Sequence, residues 1–455
     1  MKFSAAASAS NPSAYVRHVN PQWVRLLDVL GMNVDYIRCE GSELVTAAGE
    51  KVWDFNAGYC VHNVGHNHPA VVAALKQELD RHGPVMMQSH VPELAGELAE
   101  RLCTSAGGRL TKTFFASSGS EGIEAVIKFS RARTGRSGIL CCSGAFHGLT
   151  CGALSLMDNG FWTDGFGPLL PEMARVPFAN TDALAAELAT RRYAAFVVEP
   201  IQAEAGVHVP SREYLQSAQE LCRKFGTLLV VDEVQTGLYR TGSFLASHRF
   251  GIEPDVVVLA KALSGGLVPV GAVLMSDEVY DSVYTSFKRA IVHTSTFSEN
   301  GLAMRAGLAT LDVLEDERLG ERAERVGEHL RRELTRRLSG FSMVEDVRGS
   351  GQLSAIAFRR PREIRLRLLF DAFAKVHPAM FGQVLVMRLF GDHRIFAQIC
   401  GNDFMVLKVS PALNVPDAAV DALLDAIDEV VKRMQRSPSF WSEALRMARR
   451  VLHVI

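Results

Sequence analysis

Two stretches, TLLVVDEVQTGLYRTG at 227–242 and DVVVLAKALSGG at 255–266, decide how this chain folds. Each begins with a continuous Val/Leu run and closes on a charged residue, Asp232 in one and Lys261 in the other. A continuous apolar run bounded by turn residues is the pattern of a strand buried on both faces, and such strands belong to parallel sheets covered by helices. The 28 residues between Asp232 and Lys261 are long enough for a crossover. Both charged groups are therefore expected at one rim of a parallel sheet, the carboxyl rim where open α/β sheets bind their ligands.

Working outward, the same alternation continues. TKTFFASSG (111–119), GILCCSG (138–144) and AAFVVEP (194–200), the last reaching Glu199, read as strands. SEGIEAVIKFSRARTG (120–135) and REYLQSAQELCRKFG (212–226) read as helices by their spacing. Upstream, SELVTAAGEKVWDF within 41–57 reads as a hairpin, and helices are expected near 68–80 and 92–104. Beyond residue 303 a long charged helical stretch is followed by strands at 351–358 and 402–413 and a closing helix from Pro416. The expected fold class is α/β, a large domain with a mainly parallel sheet flanked by helices plus a smaller α+β C-terminal lobe. Its divisions are an N-terminal segment of the small lobe (1–60), a large domain (61–303) and a C-terminal small domain (304–455).

The 49 Lys and Arg residues nearly cancel the 50 Asp and Glu residues, so no basic field argues for nucleic acid. The eight cysteines form no CxxC pair and are expected as reduced thiols. The start, MKFSAAASASNPSAY, is Ser/Ala-rich, is expected to be mobile, and lacks the apolar core of a signal peptide. No apolar run has the length of a membrane span. A cytoplasmic protein is expected.

An Asp and a Lys at one sheet rim could be a plain salt bridge. Three further features argue for more. SSGSEG (117–122) joins a strand to a helix start, where backbone N–H groups and the helix dipole favour a phosphate. GAFHG (144–148) sets Phe146 and His147 just past another strand, able to stack on a flat ring. HTSTFSEN (293–300) is a hydroxyl-rich loop after the lysine. Together they supply an amine, a partner for a ring nitrogen, a stacking face and a phosphate cradle, which are what pyridoxal phosphate needs.

With these residues in view the chain resembles the class III aminotransferases of fold type I, from about residue 20 to 435. The matching stretches are GHNHP (65–69), SSGSEGIEAVIKFSR (117–131), FHG (146–148), EPIQAEAGV (199–207), DEVQTGLYRTG (232–242), AKALSGGLVPVGAV (260–273) and RGSGQLSAI (348–356). The resemblance implies Lys261 as the lysine that forms the Schiff base with pyridoxal 5'-phosphate and Asp232 as the partner of its pyridinium. It implies that Gln235 meets the ring hydroxyl, that Phe146 covers a ring face, and that Gly119 and Ser120 bind phosphate, with His147 and Glu199 completing the cofactor's surroundings. It implies a homodimer or tetramer with the site at the subunit interface and Thr296 reaching the neighbouring phosphate. The implied reaction is ping-pong transfer between an amine donor and a 2-oxo acid such as 2-oxoglutarate. An aminomutase, decarboxylase or racemase reaction on the same scaffold, or a non-catalytic homologue, are the alternatives.

For substrate, the strings are most similar to ornithine δ-aminotransferases, then to acetylornithine and diamine enzymes. Tyr59 and Glu204 fall where the ornithine enzymes place substrate-side residues, and Lys408 stands where they place a carboxylate-binding Arg. The long apolar stretch at 361–401 is similar to aminotransferases of lipid pathways, including those that would aminate a hopanoid side chain. Within it, MFGQVLVMRLFGDHRIF (380–396) reads either as a hydrophobic substrate surface or as packing of the C-terminal lobe. His62, His66 and His68 form H-x3-H-x-H, but no carboxylate or cysteine completes a ligand set, and no metal is expected. GSG at 349–351 is too short for a nucleotide fingerprint.

Overall fold

The computed structural model describes residues 13–87, 89–374, 380–436 and 440–441. The Ser/Ala-rich start, read above as mobile, lies almost wholly outside them.

Seven strands form the large sheet: β1 Lys112–Ala116, β2 Gly138–Cys142, β3 Met173–Val176, β4 Tyr193–Val198, β5 Leu228–Asp232, β6 Val256–Leu259 and β7 Gly271–Met275. Their spatial order is β1-β7-β6-β5-β4-β2-β3. The pairs β2–β3, β2–β4, β4–β5 and β5–β6 are parallel, while β7 runs antiparallel to both β1 and β6. The reversal follows from the connection: a single 3-10 turn, Lys261–Ser264, lies between β6 and β7, with no crossover helix to bring the chain back parallel. Every residue of β2, β4, β6 and β7 is buried, as continuous apolar runs require.

The helix Gly119–Thr134 covers one face of this sheet. Ser118 caps it by accepting from Glu121 N at 3.2 Å, and the Glu121 carboxylate accepts in return from Ser117 N at 2.8 Å. A Cβ at Gly122 would meet Val258 Cγ1 at 2.8 Å, so glycine lets the helix press onto β6. Gly135, at φ 68°, ends it.

Two four-stranded sheets accompany the large one. Tyr36–Glu40, Glu43–Thr46 and Lys51–Asp54 form an antiparallel meander, joined by Ile395–Phe396 running parallel to Lys51–Asp54. The hairpin read at 41–57 is thus the inner part of a sheet that the distant C-terminal region completes. The other sheet has the order Val344–Ser350, Leu353–Phe358, Val406–Val409, Gln398–Ile399, all antiparallel. Within 402–413 only Val406–Val409 is strand. The helical stretch after residue 303 is two helices, Gly301–Asp316 and Leu319–Leu338, broken where Arg318 takes a left-handed φ of 50°.

Most apolar side chains described between 381 and 396 are packing. Phe381, Leu385, Leu389 and Phe390 are buried with Val420, Leu424 and Ile427 of the helix Asp417–Arg436, and Phe381 lies 5.4 Å from the Phe358 ring. Arg240 is fully buried and ties distant segments together. Its guanidinium donates to the carbonyls of Gln352 (3.2 Å) and Pro411 and to the side-chain oxygen of Asn63. Among the described residues no helix is long and apolar enough to cross a membrane, and all eight cysteines are free thiols.

Candidate active site

The carboxyl ends of β4, β5 and β6 open onto a cavity of about 500 Å³. Lys261 enters it from the turn after β6, with a left-handed φ of 45°. That conformation is costly for a long side chain and persists only where its surroundings over-determine it, which marks functional positions. Burial pulls the Lys261 amine below its ordinary value, against the nearby Cys60, Glu204 and Asp232, which favour the charged form.

Asp232, the last residue of β5, is buried. Its Oδ1 accepts from Val234 N at 3.0 Å, and its Oδ2 stands 2.7 Å from His147 Nδ1. Burial opposes charge on His147, yet the hydrogen bond and charge of Asp232, followed by the charge of Glu199, raise its pKa overall. Glu199, just past β4, accepts from Phe146 N at 3.1 Å. Burial pushes its carboxyl up to about 8, against the pull of His147.

The N-terminus of the helix Gly119–Thr134 faces the same cavity through Gly119 and Ser120. The turn carrying Phe146 and His147 lies hard against it: a Cβ at Gly148, at φ 121°, would fall 2.1 Å from Ser120 Oγ. Gln235 lines the cavity as well. Its Nε2 donates to Glu204 Oε1 at 3.0 Å, while its buried Oε1 has no partner.

Gly119, Ser120, Phe146, His147, Glu199, Asp232, Gln235 and Lys261 therefore converge on one cavity. Tyr59, Glu204 and Lys408 form an adjoining group. The Lys408 ammonium donates to Glu204 Oε1 and sits 5.3 Å from the centre of the Tyr59 ring. Glu204 Oε2 accepts from Gly401 N at 2.8 Å. Lys408 holds the Glu204 carboxyl down at about 2 although burial alone would raise it, and Glu204 in turn keeps the buried Lys408 charged. Thr296 is not in this cavity. It is exposed and lines a separate hollow of about 300 Å³ with Met86 and Ser295.

Sequence reasoning missed the backing of Phe146. Trp162 meets its ring edge-on at 5.4 Å, and Asn402 Oδ1 accepts from Trp162 Nε1 at 2.8 Å. Asn402 Nδ2 then donates to Gly144 O at 2.8 Å, beside the turn that carries Phe146. Residues 162 and 402 share no motif, so only tertiary structure joins them. The histidines of H-x3-H-x-H are engaged elsewhere: His62 and His66 stack with ring centres 3.8 Å apart, His66 bonds Asp54, and His68 bonds Glu317. Among the described residues no group of three or more His, Cys, Asp or Glu is placed to hold a metal.

The profile of the "Aminotransferase class-III" family matches residues 28–431. A curated relative, aminotransferase PigE of Serratia sp., is 35% identical over 448 residues, covering 91% of this chain and 52% of its own length. The chain thus spans about half the length of that relative. Among solved structures, the ornithine aminotransferase of Toxoplasma gondii is 30% identical with a TM-score of 0.78, covering 88% of this chain and 90% of its own. The acetylornithine aminotransferase of Elizabethkingia anophelis is 28% identical with a TM-score of 0.71, covering 90% and 98%. An amine transaminase from an uncultivated Pseudomonas species, solved in its PLP-bound form, is 26% identical with a TM-score of 0.78, covering 94% and 98%. With its fold-type-I sheet, the lysine after β6 and the carboxylate at the end of β5, this chain belongs to the class III aminotransferase family.

Proposed function

We propose that this protein is a pyridoxal-phosphate-dependent transaminase. It moves an amino group between an ω-amino compound and a 2-oxo acid such as 2-oxoglutarate, in two successive half-reactions. The observation that carries this reading is the Lys261 amine in the cavity that the buried Asp232–His147 pair also lines.

The residues fit the cofactor. The first turn of the helix Gly119–Thr134 leaves backbone N–H groups free for a phosphate. The unpartnered Gln235 Oε1 calls for a polar group in the cavity, since a buried amide oxygen without a donor is costly. Phe146, fixed by Trp162, offers a ring face. Each oxygen of Asp232 keeps lone-pair capacity beyond its one protein donor.

When bound, pyridoxal phosphate supplies an electron sink for the carbon that carries the amino group. The chain supplies the rest. Asp232, as carboxylate, holds a proton on the ring nitrogen. His147 secures Asp232 through Nδ1 and so fixes where that charge lies. Lys261, its pKa lowered by burial, is more often neutral than an exposed lysine and can take the proton from the substrate carbon at Nζ. Glu199, with its raised pKa, holds the 146–148 turn without placing a full second anion beside Asp232.

Tyr59, Glu204 and Lys408 form the substrate-side wall in this reading. Ornithine-, acetylornithine- and diamine-like amines are the candidate donors, supported by the ornithine and acetylornithine enzymes among the similar structures. An apolar aldehyde such as a hopanoid side chain is a further candidate, though Phe381, Leu385, Leu389 and Phe390 of the 361–401 stretch that suggested it are engaged in packing. A homodimer is proposed in which Thr296, exposed on its loop, meets the second copy of the chain. The test is a donor panel followed by absorbance, then addition of 2-oxoglutarate. Loss of the lysine-linked cofactor band with amine, its return with the 2-oxo acid, and glutamate as product are expected. Carbon dioxide release, or an isomerised product without any acceptor, overturns transamination.

A further inference from the structure

The segment Ala57–Cys60 is left-handed throughout. Its φ values are 46° at Ala57, 61° at Gly58, 61° at Tyr59 and 68° at Cys60, so three side-chain-bearing residues sit in the left-handed region. Single left-handed residues occur in turns, but a run of them persists only when the surroundings enforce it. The run delivers Tyr59 to a position 5.3 Å over the Lys408 ammonium.

The enforcing group lies beneath the run. Asp54, buried at the end of Lys51–Asp54, accepts through Oδ1 from Asn56 N at 2.8 Å and from Ala57 N at 2.9 Å. Its Oδ2 is bonded by His66 Nε2 at 2.8 Å. His66 is itself fixed by paired backbone hydrogen bonds with Gly41, at 2.8 and 3.0 Å. His62, stacked on His66, also fills the space beside Gly266, where a Cβ would fall 2.4 Å from His62 Nδ1. Gly266 lines the cavity, so the anchor abuts the turn that begins at Lys261.

We propose that Asp54 and His66 are positioning residues for the substrate-side wall: the carboxylate gathers the backbone that enters the left-handed run, the imidazole fixes the carboxylate, and Tyr59 is thereby held over Lys408. The inference rests on the reading of Tyr59, Glu204 and Lys408 as the side that meets substrate. A histidine that only braced the fold would act on stability and on every catalytic step alike. One acting through Tyr59 affects the amine half-reaction and leaves the cofactor side intact.

The test is a double-mutant cycle in the holoenzyme with His66→Leu and Tyr59→Ala, using a diamine as donor. Each single variant is expected to raise the apparent KM for the donor by about tenfold, with kcat within about twofold and the lysine-linked absorbance unchanged. The double variant should be no worse than Tyr59→Ala alone, because coupled residues are non-additive. His66→Gln, which keeps a donor at the Nε2 position, should recover most of the loss. Multiplying effects in the double variant, or a fall in kcat with unchanged KM, overturns the anchor. If Tyr59→Ala itself leaves KM unchanged, the substrate-wall reading fails instead. Should His66→Leu not accumulate as folded protein, Asp54→Asn reads the same cycle from the other partner.

Discussion

His147 Nδ1 and Asp232 Oδ2 lie 2.7 Å apart with both side chains buried, so the carboxylate at the end of β5 is fixed from behind by an imidazole. Asp232→Ala is expected to retain some cofactor through the helix N-terminus while losing most of its proton-abstraction rate. A charge-assisted bond of this kind contributes about 1.5–3 kcal/mol, and its loss at the ring nitrogen carries directly into the barrier. Single-turnover rates with saturating amine measure this. Near-normal turnover in the variant would remove Asp232 from its role. His147→Asn, which keeps a donor at the Nδ1 position, should cost far less than His147→Leu.

Lys261→Ala should lose the visible band of the lysine-linked cofactor and multiple turnover together. Cofactor retention by equilibrium dialysis should fall less, because Gly119 and Ser120 remain. In the wild type the lowered pKa of Lys261 means that its neutral fraction, and the rate of proton removal, rises with pH through a value below that of a free lysine. A rate that falls across that range contradicts the assignment of Lys261 as base.

Lys408→Met leaves the Glu204 carboxylate buried without its cation, and about 3 kcal/mol of destabilisation is expected. Pairing it with Glu204→Gln should restore most of the stability. The linkage has a definite sign. Glu204 is depressed in the folded protein from 4.5 to about 2, so its contribution is present above the unfolded pKa and is lost as pH falls through that window. The stability of the wild type should therefore fall relative to that of the double variant as pH drops from about 4.5 to about 2. A constant gap at all pH values would rule out the pair as its source.

If Thr296 meets the phosphate of a second copy, sedimentation should show a dimer or a dimer of dimers. Mixed oligomers of inactive Lys261→Ala and inactive Thr296→Ala subunits should regain activity, since one composite site in each hybrid is intact. Full activity in a monomer, or no recovery after verified subunit mixing, excludes the shared site.

The large sheet and most of the residues that converge on the cavity were legible because their signals are local. β5 and β6 are unbroken Val/Leu runs, and Asp232 and Lys261 sit at or just past their ends. The antiparallel β7 was not legible, since GAVLM reads the same in either direction and only the missing crossover helix reverses it. The parallel pairing of Ile395–Phe396 with Lys51–Asp54 escaped for the opposite reason: its partners lie more than three hundred residues apart, and a two-residue strand has no period to detect. The apolar content of 380–396 was visible, but whether it faced a ligand or a neighbouring helix depends on Val420, Leu424 and Ile427 meeting it. Trp162 and Asn402, which fix Phe146, are joined only by folding.

Arg240 gives the molecule an order of completion. Its acceptors come from Asn63, far upstream, and from Gln352 and Pro411, far downstream. During synthesis the large sheet is whole once β7 has emerged, yet the guanidinium then still lacks the two carbonyls that enclose it. The Glu204–Lys408 contact waits on the same late segment. A nascent chain halted shortly after β7 can therefore present Lys261, Asp232 and the N-terminus of the helix Gly119–Thr134 before Lys408 joins Tyr59 and Glu204. Arrested chains of that length should take up cofactor while still failing to discriminate between amines.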